Sequence, residues 1–240
     1  PECFDLMVKN NNFNTNTKIE YVDESLVEIF LNDLEENVDI FDIFEDYVVE
    51  RVLVDYIYEC TDLIELKGNS FSTKRNEINK FRRIHSDHKL EILDVERHAD
   101  GILALLNKWI SDRMRYLPSD QTELFLDGIY SERSAVKRML KLYNELDLIG
   151  LVILSKERII GFTVGEKIND TTASVIIEKT DFDILGCAQY IFREFAKVLF
   201  ERYKILRINV GDDMGFENLK KVKMSYRPSL MIPKYVIYKR

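Results

Sequence analysis

Two stretches of this sequence place side chains where they could do chemistry. The first is the turn around Asp212 and Asp213, with Lys220, Lys221 and Lys223 following. Residues 205–210 alternate apolar and polar as a half-buried strand does, Gly211 breaks the pattern, and Phe216, Leu219 and Val222 recur at helical spacing. A polar turn at the carboxyl end of a strand gathers backbone donors and side chains, so it is a common place for ligands. The same pattern also describes a well-capped surface helix, with acids at its start and lysines at its end complementing the dipole. The second stretch is residues 67–85, where six Lys/Arg face one acid, Glu77. Phe71, Ile78 and Phe81 form a helical stripe flanked by Lys74, Arg75 and Arg82. Arg forks onto phosphate or carboxylate oxygens, so Lys74 and Arg75 beside a pocket would bind an anionic donor. A connecting helix with merely solvated cations has the same pattern.

Other chemistries find less support. His85, His88 and His98 are the only histidines, and no Cys or carboxylate spacing completes a metal set around them. No local signature of a serine or cysteine protease triad is present. Cys3, Cys60 and Cys187 are odd in number and scattered, which fits a reducing cytoplasm better than a disulfide framework.

The elements that must position these residues follow from periodicity. Residues 1–20 read as strand fragments or loop. Leu26, Val27, Phe30, Leu31 and Leu34 predict a helix within residues 23–46, and the β-branched, aromatic residues 47–58 predict a strand broken near Arg51. Residues 89–93 read as a short strand and residues 99–114 as a helix, with Trp109 in the core. A further helix is expected over residues 131–147, with Ser131 as its cap, Glu132 in its first turn, and Val136, Leu140, Tyr143 and Leu146 inward. Residues 150–154, 158–166 and 172–178 form a meander whose first turn centres on Lys156 and Glu157. An amphipathic helix over residues 186–203 turns Ile191, Phe195, Val198 and Leu199 inward, and residues 235–238 close the order as a strand. Strand, two helices, three antiparallel strands, helix, strand, helix, strand is the order of an acetyltransferase-type (GNAT-like) α+β domain, a mixed central sheet flanked by helices.

The chain has 240 residues, a hydrophobic share of 46% and a charged share of 32%. Those values predict a soluble globular protein of one large or two small domains. No apolar run approaches the roughly 20 residues of a membrane helix. Residues 1–16 have neither a basic n-region nor an apolar core, so no secretory leader is expected. The net charge of −8 is unevenly spread: residues 1–66 hold 18 Asp/Glu against three Lys/Arg, and the remainder 24 against 31. The acidic front repels polyanions, while local basic clusters further on suit a phosphate-bearing partner. The start at Pro1 and the shortness of the front portion predict a preceding section.

Residues from about 55 to the C-terminus resemble the phosphatidylglycerol lysyltransferase C-terminal domain family, which includes soluble stand-alone members. The motifs, in order, are DYIY at 55–58, DLIELKG at 62–68, KRNEINKF at 74–81, Glu132 with Ala135, FTVGE at 162–166, EKTD at 178–181, GCAQ at 186–189, and DDMGFENLKKVKMSYRP at 212–228. The family is built from two tandem GNAT-like halves and is related to the Fem aminoacyltransferases. The resemblance therefore implies that residues 1–66 are the tail of a first half, residues 67–85 a basic linker helix, and residues 86–240 the transferase domain. It also implies transfer of an acyl or aminoacyl group from an activated donor to an amine or hydroxyl acceptor. Lysyltransferases take aminoacyl-tRNA as donor and a phospholipid as acceptor.

In the reading this resemblance supports, Glu178 and Asp181 stand near the reacting centre with one acting as base. Arg75 and Lys223 bind the donor's phosphate or the developing negative charge, as catalytic groups. Lys74, Asn79, Gln189 and Asn209 orient ligands, and Asp212 and Asp213 recognise a substrate ammonium or cap the helix. Glu132, Glu166, Ser225 and Tyr226 complete the substrate-binding set; a cross-strand ion pair for Glu166 and Glu178, and core packing for Tyr226, are the plain alternatives. No metal is expected. The donor co-substrate is aminoacyl-tRNA or, as an alternative, acyl-CoA, although no Gly-rich pyrophosphate loop of the RxxGxG/A type precedes Gly186. The acceptor is a small molecule or a lipid. A third reading is a silent ligand-binding protein of the same fold, since Phe192 and Val210-Gly211 stand where the family has Asn and Arg-Glu.

Overall fold

The computed structural model describes residues 2–12, 17–28, 47–115 and 122–240, with the side chains of 122–127 left aside. Its contacts divide the chain into two compact units, Pro1–Ile57 with Gly211–Arg240, and Tyr58–Val210. The division places the last 30 residues with the front of the chain.

The larger unit holds a mixed sheet. Its strands are β3 (Lys89–Ile92), β4 (Ile149–Ser155), β5 (Arg158–Lys167), β6 (Thr172–Thr180) and β7 (Arg207–Asn209). They lie in the order β7-β6-β5-β4-β3, antiparallel except for the parallel β6–β7 pair. The expected turn at Lys156 and Glu157 is present, with both residues left-handed at φ 49° and 62°, as a two-residue hairpin in a right-twisted sheet requires. Helices α4 (Val95–Met114) and α5 (Thr122–Lys141) supply Ile102, Leu105, Leu106, Val136 and Leu140 to a core with Val152, Phe162, Val164 and Ile177. Asp94 caps α4 by accepting from the amides of Glu96 (3.0 Å) and Arg97 (3.4 Å).

The remaining helices of this unit are α2 (Cys60–Glu65), α3 (Ser72–Ile84) and α6 (Cys187–Tyr203). The α3 stripe is buried as its spacing predicts, through Phe71, Ile78 and Phe81. Gly186 precedes α6 at φ 85°, and a Cβ there would lie 2.2 Å from the Glu77 carbonyl oxygen, so α3 and the start of α6 touch through a missing side chain. In α6, Ile191, Phe195 and Leu199 are buried, whereas Val198 is half-buried.

The smaller unit contains α1 (Glu2–Asn10), β1 (Lys18–Asp23), most of β2 (Tyr47–Glu59), α7 (Glu217–Met224) and β8 (Leu230–Lys239). β8 lies between β1 and β2, antiparallel to both. The expected irregularity near Arg51 is a register shift between Arg51 and Leu53. Phe4 of α1 is buried, and its ring centroid lies 4.7 Å from that of Tyr47 with the planes tilted at 45°.

Several expectations are corrected. Residues 2–10, read as strand or loop, are helical, because Phe4 finds an apolar partner that composition could not show. The helix within residues 23–46 is seen only at 24–28; Phe30, Leu31 and Leu34 lie outside the described residues. Helix α5 begins nine residues before Ser131, so Ser131 is no cap and Glu132 is mid-helix. The helix ends at Lys141, and Leu146 beyond it is 55% exposed. Strand β7 is only Arg207–Asn209, and α7 starts at Glu217 instead of at the aspartates. Phe216 and Val222 are 58% and 55% exposed, so the stripe that predicted a buried face does not have one. Trp109 is half-buried, with the Lys179 ammonium 3.8 Å from its ring centroid.

Candidate active site

Residues 161–165 of β5, overlapping the FTVGE motif, bring two glycines and one hydroxyl onto the face that meets α6. A Cβ on Gly161 would stand 3.1 Å from Thr180 and 3.2 Å from Cys187 Sγ, and one on Gly165 would strike the Ser174 carbonyl at 2.1 Å and Phe195 at 3.1 Å. These absences let α6 settle against the strand, and Thr163 lies between them on the same face by the two-residue period. Directly across the ladder, Thr163 pairs in register with Glu178 of β6. Thr163 is fully buried, and the Oε2 atom of Glu178 is closed off from solvent although part of the residue reaches the surface. Among the described residues, neither Thr163 Oγ1 nor Glu178 Oε2 has a hydrogen-bond partner. Burial alone pushes the Glu178 carboxyl from 4.5 up to about 8. A side chain in that condition holds its proton at neutral pH and can release it close to neutrality, as general acid–base chemistry requires. Cys187 beside it is a poor nucleophile: burial, then the charges of Glu178 and Asp181, push its thiol far up.

Asp181, three residues further on, has different surroundings. Its carboxylate is buried and meets Lys108 Nζ at 2.8 Å, Arg158 at 3.1 Å and the Asp183 amide at 3.2 Å. Burial works against ionisation here, but the Lys108 hydrogen bond, the amide and the two cations outweigh it and hold the carboxyl below its ordinary range. Lys108 also meets Asp112 at 2.6 Å and Asp183 at 2.8 Å. These three carboxylates lie within 4.8 Å of one another, the spacing of a metal set, and an ammonium bonds all of them. Asp181 is thus an ion-pair centre, and Glu178 is the carboxyl with free hydrogen-bonding capacity.

Other expected residues of this unit are engaged locally. Arg75 donates through one guanidinium nitrogen to the carbonyls of Leu66 and Gly68, the latter at 2.7 Å, and so ties down the left-handed turn between α2 and α3. Glu132 pairs with Lys179 at 2.9 Å, and Glu166 is exposed and accepts from Ser174 at 3.4 Å. Lys74 is half-buried, with burial lowering its pKa. Asn79 is exposed on α3; Gln189 in the first turn of α6 and Asn209 on β7 are half-buried. Of the histidines, His88 spans the His85 carbonyl (2.6 Å) and the Tyr190 hydroxyl (3.0 Å), and His98 Nδ1 accepts from the Asp94 amide at 3.0 Å.

In the smaller unit the structure does gather the predicted turn residues. Tyr56 donates its hydroxyl to Asp213 at 2.5 Å, and that bond, followed by the Gly215 amide and the charges of Lys220 and Lys223, holds the Asp213 carboxyl low against the effect of burial. Lys234 bridges Asp55 (2.6 Å) and Asp212 (3.2 Å). Lys223 folds back from α7, donates to the carbonyls of Gly211 (3.1 Å) and Asp212, and lies 5.6 Å from the Tyr56 ring centroid. Burial lowers its pKa. The loop and its neighbours are therefore a preformed arrangement of three carboxylates and two ammoniums. Ser225 donates to the Val222 carbonyl at the end of α7, and the Tyr226 amide donates to the Lys223 carbonyl. Thr163, Lys108, Asp55, Tyr56 and Lys234 were not singled out from sequence. Asp55 and Tyr56 fall within the quoted DYIY motif, and Thr163 had a usable signal, a lone hydroxyl between glycines two residues away on each side.

No helix among the described residues is long and apolar enough to cross a membrane. The family model described as "Phosphatidylglycerol lysyltransferase, C-terminal" matches residues 23–238. An uncharacterised protein of Mycoplasmoides gallisepticum is 28% identical over 191 residues, 79% of this chain and 58% of its own, so the chain spans little more than half of that relative's length. The crystal structure of a conserved protein of unknown function from Bacteroides thetaiotaomicron matches all of this chain and 75% of its own at 29% identity, with a TM-score of 0.79. The C-terminal domain of a putative lysylphosphatidylglycerol synthetase from Agrobacterium fabrum matches 99% of this chain and 72% of its own at 12% identity, TM-score 0.65. L-PGS from Bacillus licheniformis gives 99%, 71%, 13% and 0.64 in the same terms. At those identities the last two show the fold alone, a GNAT-like α+β fold as expected. With the family model covering nearly the whole chain, and with the quoted motifs running in order along it, the protein belongs to the phosphatidylglycerol lysyltransferase C-terminal family.

Proposed function

We propose that the protein transfers an acyl or aminoacyl group from an activated ester donor to an amine or hydroxyl acceptor, with Glu178 moving the proton. The carrying observation is Glu178 itself, a carboxyl with a shielded oxygen that has no hydrogen-bond partner among the described residues and a pKa that burial pushes up to about 8. In its ionised form Glu178 takes the proton from the acceptor's nucleophile as that atom attacks the donor carbonyl. The new C–N or C–O bond forms, the donor ester C–O bond breaks, and Glu178 returns the proton to the departing oxygen. Catalysis of this kind needs positioning and charge stabilisation and no covalent intermediate. Arg75, in the same unit as Glu178, is assigned to the donor's negative charge. Arg75 acts partly by holding the Leu66 to Gly68 turn.

An aminoacyl-tRNA donor is supported over a coenzyme A thioester by the start of α6. A diphosphate is ordinarily received where the backbone opens at a helix N-terminus. Here the Gly186 Cα is packed on the Glu77 carbonyl, and the preceding loop carries Asp181 and Asp183 and no cation. The test measures transfer from radiolabelled lysyl-tRNA, and separately from acetyl-CoA, to phosphatidylglycerol vesicles and to free amines. Glu178→Gln should lower kcat about 100-fold or more while unfolding stays cooperative. Transfer from lysyl-tRNA should fall steeply as salt rises, through counterion release. Undiminished turnover in Glu178→Gln refutes the assignment, and saturable binding of either donor without transfer favours the silent ligand-binding protein.

A further inference from the structure

Thr163 and Glu178 are a cross-strand pair in which two buried polar atoms face the same layer, and each lacks a hydrogen-bond partner among the described residues. Buried hydroxyls and carboxyls are normally satisfied, and directly opposed residues of an antiparallel ladder have Cβ atoms only about 5 Å apart, within reach of one rotamer change. Gly161 and Gly165 leave Thr163 as the polar side chain that β5 offers on this face. The charged groups nearby are committed elsewhere or silent. Asp181 is tied to Lys108 and Arg158, Cys187 of α6 is a neutral thiol, and no neighbouring charge contributes to the displacement of Glu178.

We infer that Thr163 is the positioning residue of Glu178, its hydroxyl accepting from the protonated carboxyl and donating to the carboxylate once the proton has left. The chemistry of the hydroxyl favours this role. A cation opposite Glu178 would keep it ionised, and an aliphatic side chain would leave the anion without a donor. A hydroxyl carries one donor and two acceptor sites and rotates between them, so it serves both protonation states. Because it favours the charged form more than a methyl group does, Thr163 brings the release of the Glu178 proton closer to neutral pH. The catalytic meaning of this pairing rests on the function proposed above; the pairing itself does not.

The experiment is therefore a titration that needs no substrate. The side-chain carboxyls are labelled with carbon-13, the Glu178 resonance is assigned with Glu178→Gln, and its shift is followed from pH 4 to pH 10 in wild type, Thr163→Val and Thr163→Ser. Wild type should titrate well above the ordinary glutamate range. Thr163→Val, which keeps the shape and removes the hydroxyl, should move the midpoint upward by about one pH unit, a tenfold change in proton affinity. Thr163→Ser should stay near the wild-type midpoint, which packing changes alone would not bring about. A Thr163→Val midpoint that is unmoved or lower overturns the inference, and so does a Thr163→Ser midpoint that follows the valine. The turnover of Glu178→Gln is measured separately. If that variant keeps full activity while Thr163→Val shifts the midpoint, the proposed function fails and the pairing stands.

Discussion

Replacing Glu178 by Gln keeps the size of the side chain and removes the proton equilibrium that burial displaces, so its effect on stability should depend on pH. Burial lifts this carboxyl from 4.5 to about 8. At about 1.4 kcal/mol for each tenfold change in proton affinity, the ceiling of the effect is about 5 kcal/mol. Part of the residue reaches solvent, and hydration of the ionised form in a locally relaxed structure brings the realised value to about 2–3 kcal/mol. The sign follows from which state holds the proton. Below 4.5 both the folded and the unfolded chain are protonated, and the term vanishes. Between 4.5 and about 8 the unfolded chain releases the proton while the folded chain keeps it, so wild-type stability falls as pH rises. Above that range both states are ionised and the loss is complete. Urea unfolding of wild type and Glu178→Gln from pH 5 to pH 9 measures it, provided the two share one m-value. The variant should gain on wild type by about 2 kcal/mol or more across that range. A difference constant to within about 0.5 kcal/mol, the size of an ordinary surface effect, would refute a shielded carboxyl at this position.

Two further outcomes follow from the same unit. Asp181→Asn leaves Lys108 and Arg158 facing a neutral amide, and with Asp112 and Asp183 still on Lys108 it should destabilise by about 2–3 kcal/mol at pH 7. Because the Asp181 pKa is lowered, this stabilisation is present above 3.8 and is lost as pH falls through the lower folded value, so thermal unfolding of the two proteins should converge in acid. Gly186→Ala meets both a left-handed φ of 85° and the Glu77 carbonyl at 2.2 Å, and should destabilise by about 3 kcal/mol or more. Amide hydrogen exchange should rise across α3 in that variant, and unchanged protection there would show that Gly186 does not seat the helix.

Much of the element order was legible because burial leaves a local imprint. The Phe71, Ile78 and Phe81 stripe and the turn at Lys156 and Glu157 each report an environment that neighbours in sequence share. The exposed start of α7 misled for the same reason. Phe216, Leu219 and Val222 have the period of a buried face, but periodicity describes only the helix, and a face is buried only when another element is available to cover it. Residues 2–10 failed in the opposite direction, since their helix depends on Phe4 meeting Tyr47 from a distant part of the chain.

The sequence by itself determined the residue types that this family's chemistry draws on and the strands and helices that carry them. The roles of those residues were decided in three dimensions. Glu178 and Asp181 are near neighbours in one motif, and only the tertiary structure distinguishes them. Asp181 lies where Lys108, 73 residues earlier, reaches it, while Glu178 lies opposite a threonine and burial alone displaces its proton equilibrium. Arg75 reads as an anion receptor from sequence, and only the structure shows one of its guanidinium nitrogens spent on the Leu66 and Gly68 carbonyls. The reason is physical: periodicity depends on the few residues around a position, whereas the protonation and pairing of a buried polar group depend on which side chains strand register and helix packing bring within about 3 Å of it.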